Sequence, residues 1–462
     1  VKLSAAAIYR LVWRWHFYAG LVVAPFIFIL SVSGLVYLFN DELNDLFQSG
    51  KRFVEPSAQS QPLSQIAEAA ISGHPGARIT RLDTPKAPGR TIEVYVTPSV
   101  GAPIRVFVDP GLGTVLGSHD YRYTLVGVAD QLHGSLFMGE FGDAIVELAA
   151  CWGFILVVTG LYLWWPRGDL GLWRSLLPRW RSTGRTFWRS IHASIGVWTA
   201  GLALFLILTG LPWATIWGGM FRQVTESAGI GYPTSFRSYG APASEAPTVG
   251  SETNGAAPWT LVEAPAPRSG GHGSHGTHEL ESSPASGNPI GLDKVAEILS
   301  AQGMDAPYRL NLPKGDRGVF IAFTYPDRPE GQRSLYIDQY TGRVLGDVGF
   351  ADYGWAAKAI ELGIQIHMGN YFGRLNQIVM ALTCIGLIVV SVTGPYMWWR
   401  RRPRGSLGAP RPLAPAPMRT MALMTLGLAI VFPLAGASLV AVGVLEYLFG
   451  WLRGAFAAGR SA

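Results

Sequence analysis

Residues 131–167 read QLHGSLFMGEFGDAIVELAACWGFILVVTGLYLWWPR, and residues 365–401 read QIHMGNYFGRLNQIVMALTCIGLIVVSVTGPYMWWRR. At one offset of 234 residues, His133, Gly139, Thr159, Gly160, Tyr162, Trp164 and Trp165 recur as His367, Gly373, Thr393, Gly394, Tyr396, Trp398 and Trp399. Each copy sets a histidine at its head, a long apolar stretch behind it, and a Thr-Gly-x-Tyr-x-Trp-Trp foot followed by arginine. As one unbroken helix, the roughly 31 residues from histidine to tryptophan pair cover about 46 Å, a full bilayer with headgroups. The histidines and the tryptophans then sit at opposite membrane faces.

Working outward, the chain of 462 residues is 49% hydrophobic with only 15% charged residues. Apolar runs alternate with polar regions of ordinary composition, which excludes a single soluble globule. Helical spans are expected at 8–39, 131–165, 190–213, 365–399 and 420–449, the last kinked at Pro433, with a re-entrant pair as the alternative. The first run follows Lys2, Arg10 and Arg14 but lacks a small-residue cleavage pattern, so it reads as an uncleaved span. The net charge of +6 sits beside the spans, so topology accounts for it without a nucleic-acid partner.

Orientation follows from the short loops. Residues 166–189 hold six Arg and one Asp, and 400–419 hold six Arg and no acid. Regions 40–130 and 214–364 are richer in acids. The positive-inside rule therefore puts the N-terminus and both basic loops in the cytoplasm and the two long regions outside. These regions echo each other: Arg105–Gly117 matches Ser334–Gly346, strand, Asp-initiated turn and strand in each case. Helices are expected upstream at 63–72 and 292–301, so each region reads as a small α+β domain. Residues 238–289, rich in Pro, Gly and Ser and carrying His272, His275 and His278, read as a flexible insert.

The spans at 8–39 and 190–213 repeat at an offset of 176: His16, Gly20 and Ser33-Gly34 match His192, Gly196 and Thr209-Gly210. The expected fold is thus a membrane all-α bundle of five transmembrane helices, internally duplicated, bearing two small extracytoplasmic α+β domains. The two cysteines, Cys151 and Cys384, fall inside apolar helices and read as inert buried thiols; no CxxCH or CxxC is present.

Four histidines are fixed by these repeats. His16 and His192 begin outward-running helices, and His133 and His367 precede inward-running ones. Two histidine pairs at two depths suit two bis-histidine haems, for which imidazole is a ready axial ligand. Gly20 and Gly196, four residues after their histidines, let a flat macrocycle approach the backbone. Trp13, Trp15, Phe17, Tyr18 and Trp188 are placed to wall the cytoplasmic-side group, with Arg10, Arg14, Arg185 and Arg189 for its propionates. Phe137, Phe141, Tyr371, Phe372 and Arg374 are placed for the other. Glu147, a carboxylate within an apolar span, is read as either an interface residue or part of an intramembrane polar or proton network. The Trp-Trp pairs read as interfacial belts.

These residues together resemble the PepSY-associated transmembrane helix proteins. The likeness rests on Trp-Arg-Trp-His16, on Leu132-His133-Gly-Ser-Leu136, and on Thr-Gly-Leu-Tyr-Leu-Trp-Trp-Pro-Arg167. Arg189-Ser-Ile-His192 carries it too, and Val-Asp-Pro-Gly-Leu-Gly-Thr-Val-Leu-Gly117 resembles a PepSY domain. It implies a bacterial inner-membrane protein with periplasmic PepSY-like domains. The di-haem ferric-siderophore reductase branch implies two haem b groups ligated by His16, His192, His133 and His367. Its substrate would be a ferric siderophore, its donor a membrane quinol or a cytoplasmic protein. The GxGxxG string at Gly271–Gly276 falls in the flexible insert and does not link an expected strand to a helix, so it is no nucleotide fingerprint, and no other catalytic residue is implied. The alternatives are a non-enzymatic anchored binding module and a siderophore transporter.

Overall fold

A computed structural model describes residues 4–167, 171–231, 233, 258–261, 289–403, 408 and 418–458. It divides into two compact units: Val1–Leu38, Ala129–Phe221 and Gln377–Ala462 form one, and Phe39–Val128 with Arg222–Asn376 the other. Most of the 238–289 insert, its three histidines included, and most of the 400–419 loop lie outside the described residues. Within the insert, Trp259 and Leu261 are buried, Leu261 in a core with Val319, Ile321 and Tyr336, so the flexible-insert expectation is corrected there.

The first unit is helical. Four helices are long and apolar enough to cross a membrane: Ala5–Leu38 (α1), Gly139–Trp164, Gly184–Trp213 and Arg374–Arg401. The shortest has 26 residues, and at about 1.5 Å per residue it reaches some 39 Å, beyond the hydrocarbon core. Between 22% and 33% of each apolar window is buried inside the protein, so most of this surface needs lipid. The chain is a membrane protein.

The stretch expected as one helix from His133 to Trp165 is two. Leu125–Ser135 (α5) ends, Leu136 and Phe137 turn at φ of 50° and 61°, and Gly139–Trp164 (α6) begins. The second copy breaks likewise between Trp355–His367 (α11) and Arg374–Arg401 (α12), with Gly369 and Gly373 at positive φ. Gly139 and Gly373, the repeated pair, both adopt the left-handed backbone that side chains resist. Each histidine therefore closes a short helix before the membrane helix and does not head it.

Past the basic loop, Gly184–Gly210 (α8) packs on α6, as does α1. Thr215–Ser227 (α9) follows a short turn. Where one kinked span was expected over 420–449, Met418–Val431 (α13) and Pro433–Ala458 (α14) fold back at Phe432. A Cβ on Gly436 would lie 2.4 Å from the Cα of Ala429, whereas seven residues of straight helix rise about 10.5 Å. Pro433 cannot donate to the helix ladder, which permits the break. Phe432 and Ala435 are buried with Cys151, Ile155 and Leu211, and the Trp152 indole donates to Ser438 Oγ at 3.0 Å. Both cysteines are buried and free.

The second unit is built on one antiparallel sheet. The strands are β1 (Arg78–Asp83), β2 (Ile92–Thr97), β3 (Ile104–Val108), β4 (Val115–His119), β5 (Arg309–Asn311), β6 (Val319–Thr324), β7 (Arg333–Asp338) and β8 (Val344–Gly349). Their order is β4-β3-β2-β1-β5-β6-β7-β8. The two expected domains are thus halves of a continuous sheet, joined where Arg81, Leu82 and Asp83 pair with Asn311, Leu310 and Arg309. Helices Leu63–Ser72 (α4) and Leu292–Ala301 (α10) cover it; Ser64 donates to Asp293 through both its amide (3.0 Å) and its hydroxyl (2.5 Å). Leu63, Leu292 and Leu312 belong to both halves' cores. The echoed turns match closely. Asp109 accepts from the amides of Gly111 and Leu112, Asp338 from those of Tyr340 and Thr341, and Gly113 and Gly342 both sit at φ 69°.

Candidate functional site

His16 lies on α1 and His192 on α8, and the fold brings their rings together with centroids 6.5 Å apart and planes crossed at 88°. Neither ring is free to swing. His16 Nδ1 is 2.9 Å from the hydroxyl of Thr159 on α6, and His192 Nδ1 is 3.0 Å from the hydroxyl of Thr393 on α12. The repeat at 234 residues relates these two threonines, and the repeat at 176 relates the two histidines. The pair is thus one half-site met twice.

Two axial imidazoles on one metal, each bonded at about 2.0–2.1 Å, hold their ring centres about 6.3 Å apart. The observed separation fits that demand. At Gly20 and Gly196 an added Cβ would first meet Leu156 at 3.7 Å and Val390 at 4.0 Å respectively, ordinary contact distances. A flat group with a ligand on each side is therefore compatible with the residues present. Among the described residues no group of three or more His, Cys, Asp and Glu stands ready for a bare metal ion. Two opposed imidazoles with small residues around them suit a metal that brings its own equatorial ligands.

His133, on α5, meets the other end of α1. Its Nδ1 is 3.0 Å from the Leu30 carbonyl and 3.2 Å from the Ser33 hydroxyl. His367 closes α11 in the sheet unit, where its neighbours in sequence are heavily hydrogen-bonded. Asn370 donates to Gln365 Oε1 at 2.9 Å, and Asn376 to the Ile366 carbonyl at 2.8 Å.

Other expected site residues are placed differently. Arg14 stacks over Tyr18, while Arg10, Arg185 and Arg189 are exposed. Arg374 is paired with Glu42. Trp13 and Phe17 lie under Arg401, at 5.4 and 5.5 Å, and Trp188 rests against Tyr396. Phe137 and Phe141 are exposed, and Tyr371 donates to Glu330.

Glu147 is 1% exposed, buried within the helical unit. Its carboxylate accepts from the amides of Ile216 (3.0 Å) and Trp217 (3.2 Å), while Asp143 accepts from that of Thr215 (2.8 Å). These two acids close the start of α9, where amides lack helical acceptors. A second buried carboxylate escaped the sequence reading. Glu361 is fully buried and accepts from Gln332 Nε2 at 2.9 Å. Its signal was present, since Ala357, Glu361 and Ile364 share one stripe at i, i+4 and i+7.

A family model described as PepSY-associated TM region matches residues 13–401. No curated protein matches the chain.

Proposed function

The chain belongs to the PepSY-associated TM family, and we propose that it moves electrons across a bacterial inner membrane to reduce ferric siderophores outside. Two haem b groups are the carriers in this reading. His16 and His192 hold one on the cytoplasmic side; His133 and His367 serve the other on the periplasmic side. When bound, such groups supply reversible one-electron chemistry at six-coordinate iron. The observation that carries the reading is the crossed His16–His192 pair at 6.5 Å.

The chain's own residues have distinct tasks. The arginines of 166–189 and 400–419 hold those loops in the cytoplasm, and the sheet unit, as paired PepSY-like domains, faces the periplasm. The C-terminal α13–α14 pair lies in the bilayer with the four spans. The donor is a membrane quinol or a cytoplasmic redox protein, since the short basic loops carry no nucleotide-binding domain. Each electron converts one siderophore-held Fe(III) to Fe(II); a quinol giving two electrons and two protons serves two irons. Anionic chelator oxygens hold Fe(II) less tightly than Fe(III), so reduction is a release step.

Purified protein tests this directly. A Soret band, a reduced b-type α-band, two haems per chain and reoxidation by a ferric siderophore are expected. Colourless, folded protein from haem-replete cells would refute it.

A further inference from the structure

Hydroxyl-glycine pairs occur in the apolar helices at Ser33-Gly34, Thr159-Gly160, Thr209-Gly210 and Thr393-Gly394. Three of them touch an imidazole. Each hydroxyl has one proton, and a carbonyl of its own helix lies in reach to take it. Thr159 donates to the Ile155 carbonyl at 2.7 Å, Thr393 to that of Val389 at 2.8 Å, and Ser33 to that of Ile29 at 2.8 Å. A hydroxyl whose proton is committed to its own helix can only accept from another partner. The imidazole nitrogen facing it, Nδ1 in all three cases, must therefore donate. For His133 the Leu30 carbonyl, an acceptor only, forces the same conclusion. A neutral imidazole has a single N–H, so Nε2 keeps the lone pair in His16, His192 and His133.

The glycine that follows has its own part. A Cβ at position 34 would lie 3.1 Å from His133 Cε1, one at 160 would lie 3.2 Å from His16 Cε1, and one at 394 would lie 3.4 Å from His192 Cε1. Those distances are tight for carbon–carbon contact. Glycine lets the ring edge settle on the neighbouring helix so that Nδ1 reaches the hydroxyl one residue earlier.

We infer that these Ser/Thr-Gly pairs are imidazole seats: Thr159, Thr393 and Ser33 are positioning residues that hold His16, His192 and His133 as Nδ1–H tautomers, with Nε2 presented to a metal. The ligation half of this inference rests on the haem reading above; the tautomer half does not. A hydroxyl accepting from Nδ1–H also enriches Nε2 in electron density, which favours the ferric over the ferrous state of a bound iron. Mutual satisfaction of buried polar groups alone would explain the hydrogen bonds but would leave a metal's properties unmoved.

The test uses the full chain in lipid nanodiscs, labelled with nitrogen-15 histidine and assigned by single His→Gln variants. In haem-free protein, His16, His133 and His192 are expected as Nδ1–H tautomers. Thr159→Val should turn His16 into a tautomer mixture, and Thr159→Ser should restore it. An Nε2–H form in the unaltered protein, or no change in Thr159→Val, would overturn the seat. In haem-loaded protein, Thr159→Val and Thr393→Val should each lower the ferric/ferrous ratio about tenfold at fixed potential, equivalent to about 59 mV for one electron. Both should act on the haem that His16→Ala loses, Ser33→Ala should act on the other, and the Thr→Ser variants should match the unaltered protein. Unmoved potentials with haem bound would contradict the positioning role. If Thr159→Val does not fold, Gly160→Ala keeps the hydroxyl but crowds the ring, and should disturb the His16 resonance while leaving His133 unchanged; an undisturbed His16 resonance would count against the seat. Protein that binds no haem would defeat the haem reading, and the tautomer measurement would still decide the seat.

Discussion

Replacing Glu147 by leucine should lower the melting temperature of the protein, because the Ile216 and Trp217 amides lose their acceptor in a site closed to water. Caps of this kind contribute about 0.5–2 kcal/mol. Glu147→Gln, which keeps one acceptor oxygen, should lose less. A Gln variant that melts normally but loses all activity would instead give Glu147 a proton-handling role. His119 supplies a pH dependence in the sheet unit. Burial first, then the charges of Lys51, Arg105 and Arg52, push its imidazole down to about 4, against the pull of Asp120. The unfolded chain titrates near 6.5. A lowered folded value means the stabilising difference is complete above pH 6.5 and is lost as pH falls towards 4. Thermal unfolding of the sheet unit between pH 7 and 4.5 should show that decline, and His119→Gln should flatten it; equal slopes would contradict the assignment. At this scale the ligand candidates were legible because the repeats marked His16 and His192 twice over. The threonines were visible as a shared foot but not as partners, since a contact across 143 residues leaves no local trace. The Arg374–Glu42 pair was hidden for the same reason: Arg374's basic position was plain, and Glu42 lay far off in the sequence.

Among the elements, periodicity and apolar length were enough to locate the four membrane helices. They were not enough to find the breaks after Ser135 and His367, because the residues on either side remain helix-forming and the left-handed turn falls on Leu136 and Phe137 as well as on glycines. The fold-back at Phe432 was legible only as the alternative: Pro433 announces a break, but its angle depends on Gly436 meeting Ala429. Gly436→Val should therefore destabilise the α13–α14 pair, read as a lower melting temperature, while Gly427→Val, where an added Cβ meets nothing within 4 Å, should cost far less. Equal effects would argue against the tight contact. In the sheet unit, both hairpin pairs could be read from their Asp-initiated turns. The β1–β5 seam could not, since three short residue pairs on strands 226 or more positions apart carry no pattern of their own. Asp293→Ala, which removes the acceptor for both Ser64 donors across the seam, should lower the unfolding midpoint of the sheet unit by the cost of a lost cap, about 1 kcal/mol.

For the whole molecule, the duplication is the controlling fact: it repeats span, sheet half and span, and so repeats the histidines with them. If His16 and His192 ligate one iron, their losses cannot add. The direct measurement is haem per chain in His16→Ala, His192→Ala and the double variant, purified side by side from haem-replete cells. One haem should be missing from each single variant, and the double variant should lose no more than either. Two haems retained in both single variants, or a further haem lost only in the double variant, would contradict a shared iron between these two rings.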